Sequence, residues 1–369
     1  MTTTRTGTGA DPQQSGPPAP PEETGSLEQK EVAGLSQGQI VRKRFLRHKG
    51  AMISLVVLIL VILLAATSIG WGPIPGWYHW KYTDLPDPYN PQGEPTMSVP
   101  GLFGGHGWAW GIHPFGQDET GLDLFAAVMR GTQQTIVVIL ILGLLSTVIG
   151  VVIGAVAGYY RGWVDAVLMR FTDLIITLPI ILITAVLGFV LNAHGIWSVA
   201  LALGLLSWTT LARLVRGEFL ALREREFVDA ARVAGASDRR IIFKHILPNT
   251  VGIIAVNTTL LMGAGILSEA ALSFLGFGIR LPDLSLGSLI SAYAQSFSFR
   301  PWLFVWPGIF IIIIVLCINF IGDGLRDAFD PKQKRIPKAR ALRADRATSA
   351  KAELSTHETA APPSPAVGL

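Results

Sequence analysis

Long apolar runs alternate with short polar interruptions along this chain, and the alternation sets the expected architecture. Six runs approach the ~20 residues that cross a bilayer's hydrocarbon core: 51–70, 134–158, 174–191, 196–213, 250–268 and 302–321. They predict an all-α polytopic membrane protein with six transmembrane helices. Only Asn192-Ala193-His194-Gly195 separates the third and fourth runs, which predicts a tight hairpin. About fifty residues precede the first run, far more than the basic leader of a cleavable signal, so it reads as an uncleaved anchor.

The polar interruption at 222–248 has a pattern of its own. Phe227, Ala230, Ala231 and Ala234 fall at i, i+3, i+4 and i+7 and share one helix face. That face is small-sided and suits close approach by another protein. Gly235 supplies a turn residue that tolerates positive φ. Ser237 or Asp238 is expected to cap a second short helix, and Pro248 to mark its end. In the second run Gly150, Gly154 and Gly158 recur every fourth residue, which lets another helix pack closely.

Charge orients these runs. Arg42, Lys43, Arg44, Arg47 and Lys49 flank the first, and Arg213, Arg216, Arg223, Arg225, Arg232, Arg239, Arg240 and Lys244 lie in or beside the 222–248 loop. Asp84, Asp87, Glu94, Asp118, Glu119 and Asp123 follow the first run. Bases collect on the cytoplasmic side, so both termini and the 222–248 loop are expected there, with 71–131 outside. Hydrophobic residues make up 50% of the chain and charged ones 15%, a balance that excludes a soluble domain of this length. The net charge of +4 comes from bases at membrane edges and gives no reason to expect nucleic acid as a partner. With one cysteine, Cys317, no intrachain disulfide is possible.

Catalytic patterns are missing. There is no Gly-x-x-x-x-Gly-Lys-Ser/Thr phosphate loop, His-Glu-x-x-His pair or Gly-x-Ser-x-Gly elbow. Hydrolysis of ATP by the P-loop route is therefore not expected of this chain, nor is any metal site. His106, His113 and His194 are scattered and read as surface or interface histidines. Glu269 is an ionisable group at the end of an apolar run. It either faces an aqueous path, or begins a short re-entrant helix with Ser268 whose free N–H groups the pair satisfies. Asn257, with Thr258 and Thr259, either lines the path or bonds neighbouring helices. Trp71, Trp77, Tyr78, Trp80 and Tyr82 suit an interfacial aromatic belt or a contact with an external protein.

The segment from Glu226 through Asp229-Ala230-Ala231, Gly235 and Pro248-Asn249 resembles the EAA loop of ABC importer permeases. Phe115-Gly-Gln-Asp118-Glu119-Thr-Gly121-Leu-Asp123 and Ser268-Glu269-Ala-Ala-Leu-Ser-Phe274-Leu-Gly276-Phe-Gly278 resemble segments of the dipeptide and oligopeptide permeases of the C type. One departure stands out: Asp229-Ala-Ala replaces the usual Glu-Ala-Ala. The resemblance implies a type I importer permease fold. It makes Glu226, Phe227, Asp229, Ala230, Ala231, Arg232, Gly235, Ala236 and Ser237 the surface that couples to an ATPase. The implied partners are a B-type permease forming a heterodimer, two ATPase domains that bind ATP and magnesium, an extracytoplasmic substrate-binding protein and a peptide substrate. No cofactor is implied in this chain itself.

The expected organisation is a disordered tail at 1–35, a basic juxtamembrane or interfacial helix at 36–50, the first transmembrane helix at 51–70 and an extracytoplasmic insertion at 71–131. A core permease domain follows at 132–330 with five transmembrane helices, and a second disordered tail at 331–369. The basic helix and the bases Lys332, Lys334 and Arg335 suit membrane lipid. Two alternatives remain open: an ion-coupled secondary transporter, or an importer of the same family for nickel chelates or glutathione. A membrane enzyme would need a catalytic constellation, and none is present.

Overall fold

A computed structural model describes residues 37–83, 93–98, 109–190 and 195–330. Both expected tails, Asp84, Asp87, His106, Lys332, Lys334, Arg335 and most of the 192–195 link lie outside the described residues. Most of the described residues are helical, with turns and isolated bridges between Trp71 and Asp123. In chain order the helices are α1 (Gln37–Arg47), α2 (Lys49–Ser68), α3 (Leu124–Tyr160), α4 (Gly162–Thr177), α5 (Ile180–Val190), α6 (Ile196–Leu206), α7 (Thr209–Arg223), α8 (Glu226–Val233), α9 (Asp238–Phe274), α10 (Leu286–Tyr293) and α11 (Pro301–Phe329).

Five elements are long and apolar enough to cross a membrane: α2, α3, the combined α6–α7, α9 and α11. The run at 174–191 was expected to be one span by itself, and here the chain departs from that expectation. It belongs to the pair α4–α5, which bends by 79° at Leu178-Pro179. Proline disfavours helical geometry in the residue before it, and Leu178 is extended with ψ 132. A sixth crossing exists only if this bent pair counts as one.

Pro248 also behaves differently from its expected role. It lies inside a helix that continues to Phe274, directly after a π-helical turn and in the first turn of the α-helical stretch Leu247–Phe274, where proline is tolerated. The expected second short helix is therefore continuous with α9, through a π-helical turn at Ile241–Ile246.

Helix starts follow their capping residues. The Asp123 carboxylate accepts from Ala126 N at 2.7 Å and begins α3. His48 Nδ1 accepts from Ala51 N at 3.0 Å and begins α2. Ser285 and Ser288 form a reciprocal capping box at α10.

α3 is the central strut, packed by α2, α4, α6, α7, α9 and α10. α11 packs on α2 and α9. Tyr159, Arg223, Asp238 and Phe329 converge at one end of the bundle, the basic or inner end. Asp118, Asp123, Asp283 and Tyr293 gather at the opposite, outer end.

Candidate functional site

The inner end carries α8, and one side chain pins it to the body. Val228 is 0% exposed and packs with Tyr159, Val215, Phe219, Ile241 and Ile246. The other faces point outward. Phe227, Ala230 and Ala234 are exposed and Ala231 is half-buried. Val233 was not singled out in the sequence, yet it is 91% exposed, and Phe243 on the next turn is 63% exposed. Apolar side chains this open, set beside exposed charges, are the composition of a docking surface. Glu226, Asp229 and Arg232 ring it, with Asp229 and Arg232 paired at 2.8 Å. That pair is too exposed to stabilise the helix appreciably.

Gly235 closes α8 with φ +80. Its N–H donates to Arg232 O and the N–H of Ala236 donates to Ala231 O, both at 3.0 Å, which is the bonding of a Schellman motif. Only glycine adopts this geometry without strain. Ser237 occupies the N-cap position of α9, but its hydroxyl makes no capping bond. The Asp238 carboxylate instead accepts from Tyr159 Oη at 2.6 Å, which ties the loop to the end of α3. The Arg223 guanidinium lies 5.5 Å from the Tyr159 ring and donates to the Tyr159 carbonyl.

Gly150, Gly154 and Gly158 face α7. A Cβ on Gly154 would collide with the Ala212 carbonyl, and one on Gly158 would lie 2.7 Å from both Arg216 O and Phe219 Cβ. On Gly150 it would stand 3.0 Å from Trp208 O. The stripe therefore sits where α3 and α7 touch backbone to backbone.

Glu269 and Ser268 lie inside α9, which continues past them without a break, so neither begins a re-entrant helix. Ser268 Oγ bonds back to Ala264 O at 3.0 Å. Glu269 is 0% exposed and faces no open path within this chain. One of its oxygens accepts from Ser273 Oγ at 2.8 Å, and Ser273 Oγ lies 3.4 Å from Ser285 Oγ. Asn257 bonds Ile253 O on its own helix at 2.9 Å. Its neighbour Thr258 bonds across to Thr147 on α3 at 2.7 Å, one of the two roles open to this patch. No cluster of three or more metal-ligating side chains occurs among the described residues.

Comparison with known proteins covers this whole arrangement. A family model described as the binding-protein-dependent transport system inner membrane component matches residues 150–335, and the N-terminal TM domain of oligopeptide transport permease C matches residues 36–91. The oligopeptide transport system permease protein OppC of Haemophilus influenzae is 36% identical over 308 residues, covering 84% of this chain and 93% of that one. The OppC protein of Mycobacterium tuberculosis is 37% identical over 302 residues, with 82% and 97% covered. The chain belongs to the oligopeptide transport permease C family. A chain of the inward-facing MetNI methionine ABC transporter overlaps 55% of this permease and 96% of its own length, at 18% identity and TM-score 0.47.

The permease is thus a multi-pass inner-membrane component of a binding-protein-dependent ABC transporter. It works with an ATPase and a binding protein and is not itself an ATPase.

At the outer end the permease holds a polar lattice that the sequence showed only in part. Asp123 Oδ2 accepts from Tyr78 Oη at 2.9 Å and lies 2.7 Å from His113 Nδ1. His113 is therefore a buried partner of Asp123, where a surface or interface histidine was expected. Asp118 accepts from the backbone of Thr120 and Leu122 and from Tyr293 Oη at 3.0 Å. Burial, reinforced by the neighbouring carboxylates, pushes the Tyr78 and Tyr293 phenols well above the ordinary tyrosine value. Gln134 on α3 donates to Asp283 at 3.0 Å and accepts from Leu284 N at 2.5 Å.

Several expected belt aromatics belong to this lattice. Tyr78 packs 4.7 Å from Phe125, Trp80 lies 4.9 Å from His113, and Tyr82 sits under Arg130 at 5.6 Å. Trp77 stays exposed. The signal for Asp123 was in the sequence, as an aspartate directly before an apolar run. Nothing local marks Tyr78, 45 residues away, as its partner.

Proposed function

We propose that this permease forms half of the channel of an ATP-driven oligopeptide importer. A B-type permease supplies the other half, two ATPase domains that bind ATP and magnesium sit beneath, and an extracytoplasmic binding protein delivers the peptide. The relatives named for oligopeptide transport support the substrate class. The positive-inside bias supports cytoplasmic termini, with α8 on the ATPase side.

One observation carries the coupling role. The exposed apolar side chains Phe227 and Val233 stand on a short helix that is anchored through Val228 and ended by a glycine-only turn, with exposed Phe243 on the π-helical turn that follows. Closure of the ATPases would push α8, and the body would respond by a rigid-body tilt that alternates access to the two sides. ATP and the loaded binding protein would each shift this balance through unequal affinity for its states.

The test is purification of the whole complex from native membranes, with identification of its subunits and bound ligand. The reading expects ATPase subunits and a peptide. A complex without an ATPase would refute it, and a bound nickel chelate or glutathione would correct the substrate. Within that complex, Ala231→Trp should abolish substrate-stimulated ATP hydrolysis while the spans remain inserted.

A further inference from the structure

α4 stands apart from the other membrane helices in how it is held. Its only buried side chain is Thr172, which bonds back to Leu168 O on the same helix. Trp163, Val167, Phe171 and Leu174 all point outward. An apolar core therefore does not fix α4 to the body.

Charge does. Arg216 on α7 grips Asp165 with both arms of its fork, Nε to Oδ1 at 2.5 Å and Nη2 to Oδ2 at 2.7 Å. Two turns further along α4, Asp173 meets Arg213 at 2.5 Å. Near the start of α4, Arg161 pairs with Glu224 just beyond α7 at 2.7 Å. The first pair is the most enclosed and the only two-pronged one of the three, so it fixes direction as well as distance. Its other end of the chain of contacts is short: α7 reaches α8 across only Glu224 and Arg225.

We infer that Asp165 and Arg216, supported by Asp173 and Arg213, are positioning residues that make α4 follow α7, so that movement of α8 reaches the bent α4–α5 segment. α5 turns away from α4 at 79° and, with α6 and Phe277, lines an apolar cavity of about 320 Å³ that includes Thr184, Leu187, Ser198 and Leu205. A swing of α4 therefore changes the wall of this cavity. Phe171 on α4 also stacks on Trp208 at the start of α7, 6.2 Å between centroids, and this contact acts with the ion pairs. The two aspartates and two arginines use their charge to join helices that share little buried surface, and a lysine at 216 would keep the charge but lose the fork.

The inference rests on the coupling reading above, and the test separates the two. Spin labels are placed at Val167→Cys on α4 and Leu316→Cys on α11, both exposed, in a Cys317→Ala background. Their separation is measured in the whole purified complex, without nucleotide and after trapping with ATP and vanadate. With Asp165 and Arg216 intact, trapping should shift the distance. With Arg216→Ala the complex should keep its ATPase subunits and basal ATP hydrolysis within about two-fold, while the shift is lost or the distance distribution broadens before nucleotide is added. Arg216→Lys, which also guards against a folding failure of the alanine variant, should recover part of the shift.

An equal shift in wild type and both variants would overturn the inference and leave the coupling reading standing. So would the absence of any shift in wild type, or a parallel loss of assembly and basal hydrolysis in both variants, which would make the pair a structural tie. A wild-type complex with no ATPase would remove both.

Discussion

The outer end of this permease closes on itself through polar contacts, whereas its inner end presents apolar side chains with nothing over them in the isolated chain. At the outer end Asp123 alone caps α3, accepts from Tyr78 and meets His113. Asp118 and Gln134 make similar multiple links to Tyr293, Asp283 and Leu284. Buried polar groups of this kind are costly unless satisfied, so such a lattice rigidifies the helix ends it joins. At the inner end α8 rests on Val228 and leaves Val233 and Phe243 outside. One end holds a shape through its own contacts; the other leaves apolar side chains open. The proposed coupling would need that asymmetry, because a push on α8 would move the channel only if the helices it pushes are stiff and jointly anchored.

The comparison can be broken most severely where the two ends are joined. Gly154→Leu puts a branched side chain against the backbone of α7, and overpacking there should cost about 3 kcal/mol, the upper end of the usual range. Little assembled complex should be recovered, as read by size-exclusion chromatography. Normal recovery would mean that α3 and α7 tolerate separation.

Next in size is Asp123→Ala, which removes the α3 cap and strands two buried partners. A loss on the order of 3 kcal/mol is expected. It should appear as a lowered melting temperature in detergent, with ATPase subunits still bound below that temperature. If instead the ATPase is lost while the melting temperature holds, the division between the ends is misplaced.

Gly235→Val should do the opposite. A branched residue forced to φ +80 costs roughly 1–2 kcal/mol locally. Stability should therefore change little, while substrate-stimulated ATP hydrolysis disappears. Retained stimulation would take the turn out of coupling.

The smallest effect belongs to Tyr293→Phe, worth about 1 kcal/mol for one hydrogen bond to Asp118. Its pH dependence gives a sharper signature. The folded-state pKa is raised above the ordinary value of 10.0, so the contribution of the phenol is complete below that value and is lost as pH rises beyond it. Thermal melts of the variant should fall less steeply than wild type in that alkaline range.

Much of the architecture was legible because hydropathy reports burial in lipid directly. Hydropathy is blind to direction, however. The run at 174–191 is uniformly apolar on both sides of the bend before Pro179, so its break did not register. Pro248 misled in the other direction, since a proline that ends one helix and one that opens the next look alike without the fold. The Gly235 turn was readable because its requirement is local to one residue. The role of Val228 was not, because it depends on helices brought together from distant parts of the chain. Glu269 looked like a boundary since a carboxyl in an apolar run usually lies near water. The serines that enclose it, Ser273 and Ser285, lie on separate elements.

α3 and α9 are each 37 residues long. At 1.5 Å per residue each measures roughly 55 Å, against a hydrocarbon core of about 30 Å. Both are therefore longer than that core is thick, and Tyr159 at the end of α3 is bonded to Asp238 at the start of α9. If α8 docks the ATPase as proposed, the spacing between motor and channel is set by covalent geometry, and a membrane a few ångströms thicker or thinner would change how deeply these helices are immersed and leave that spacing unchanged.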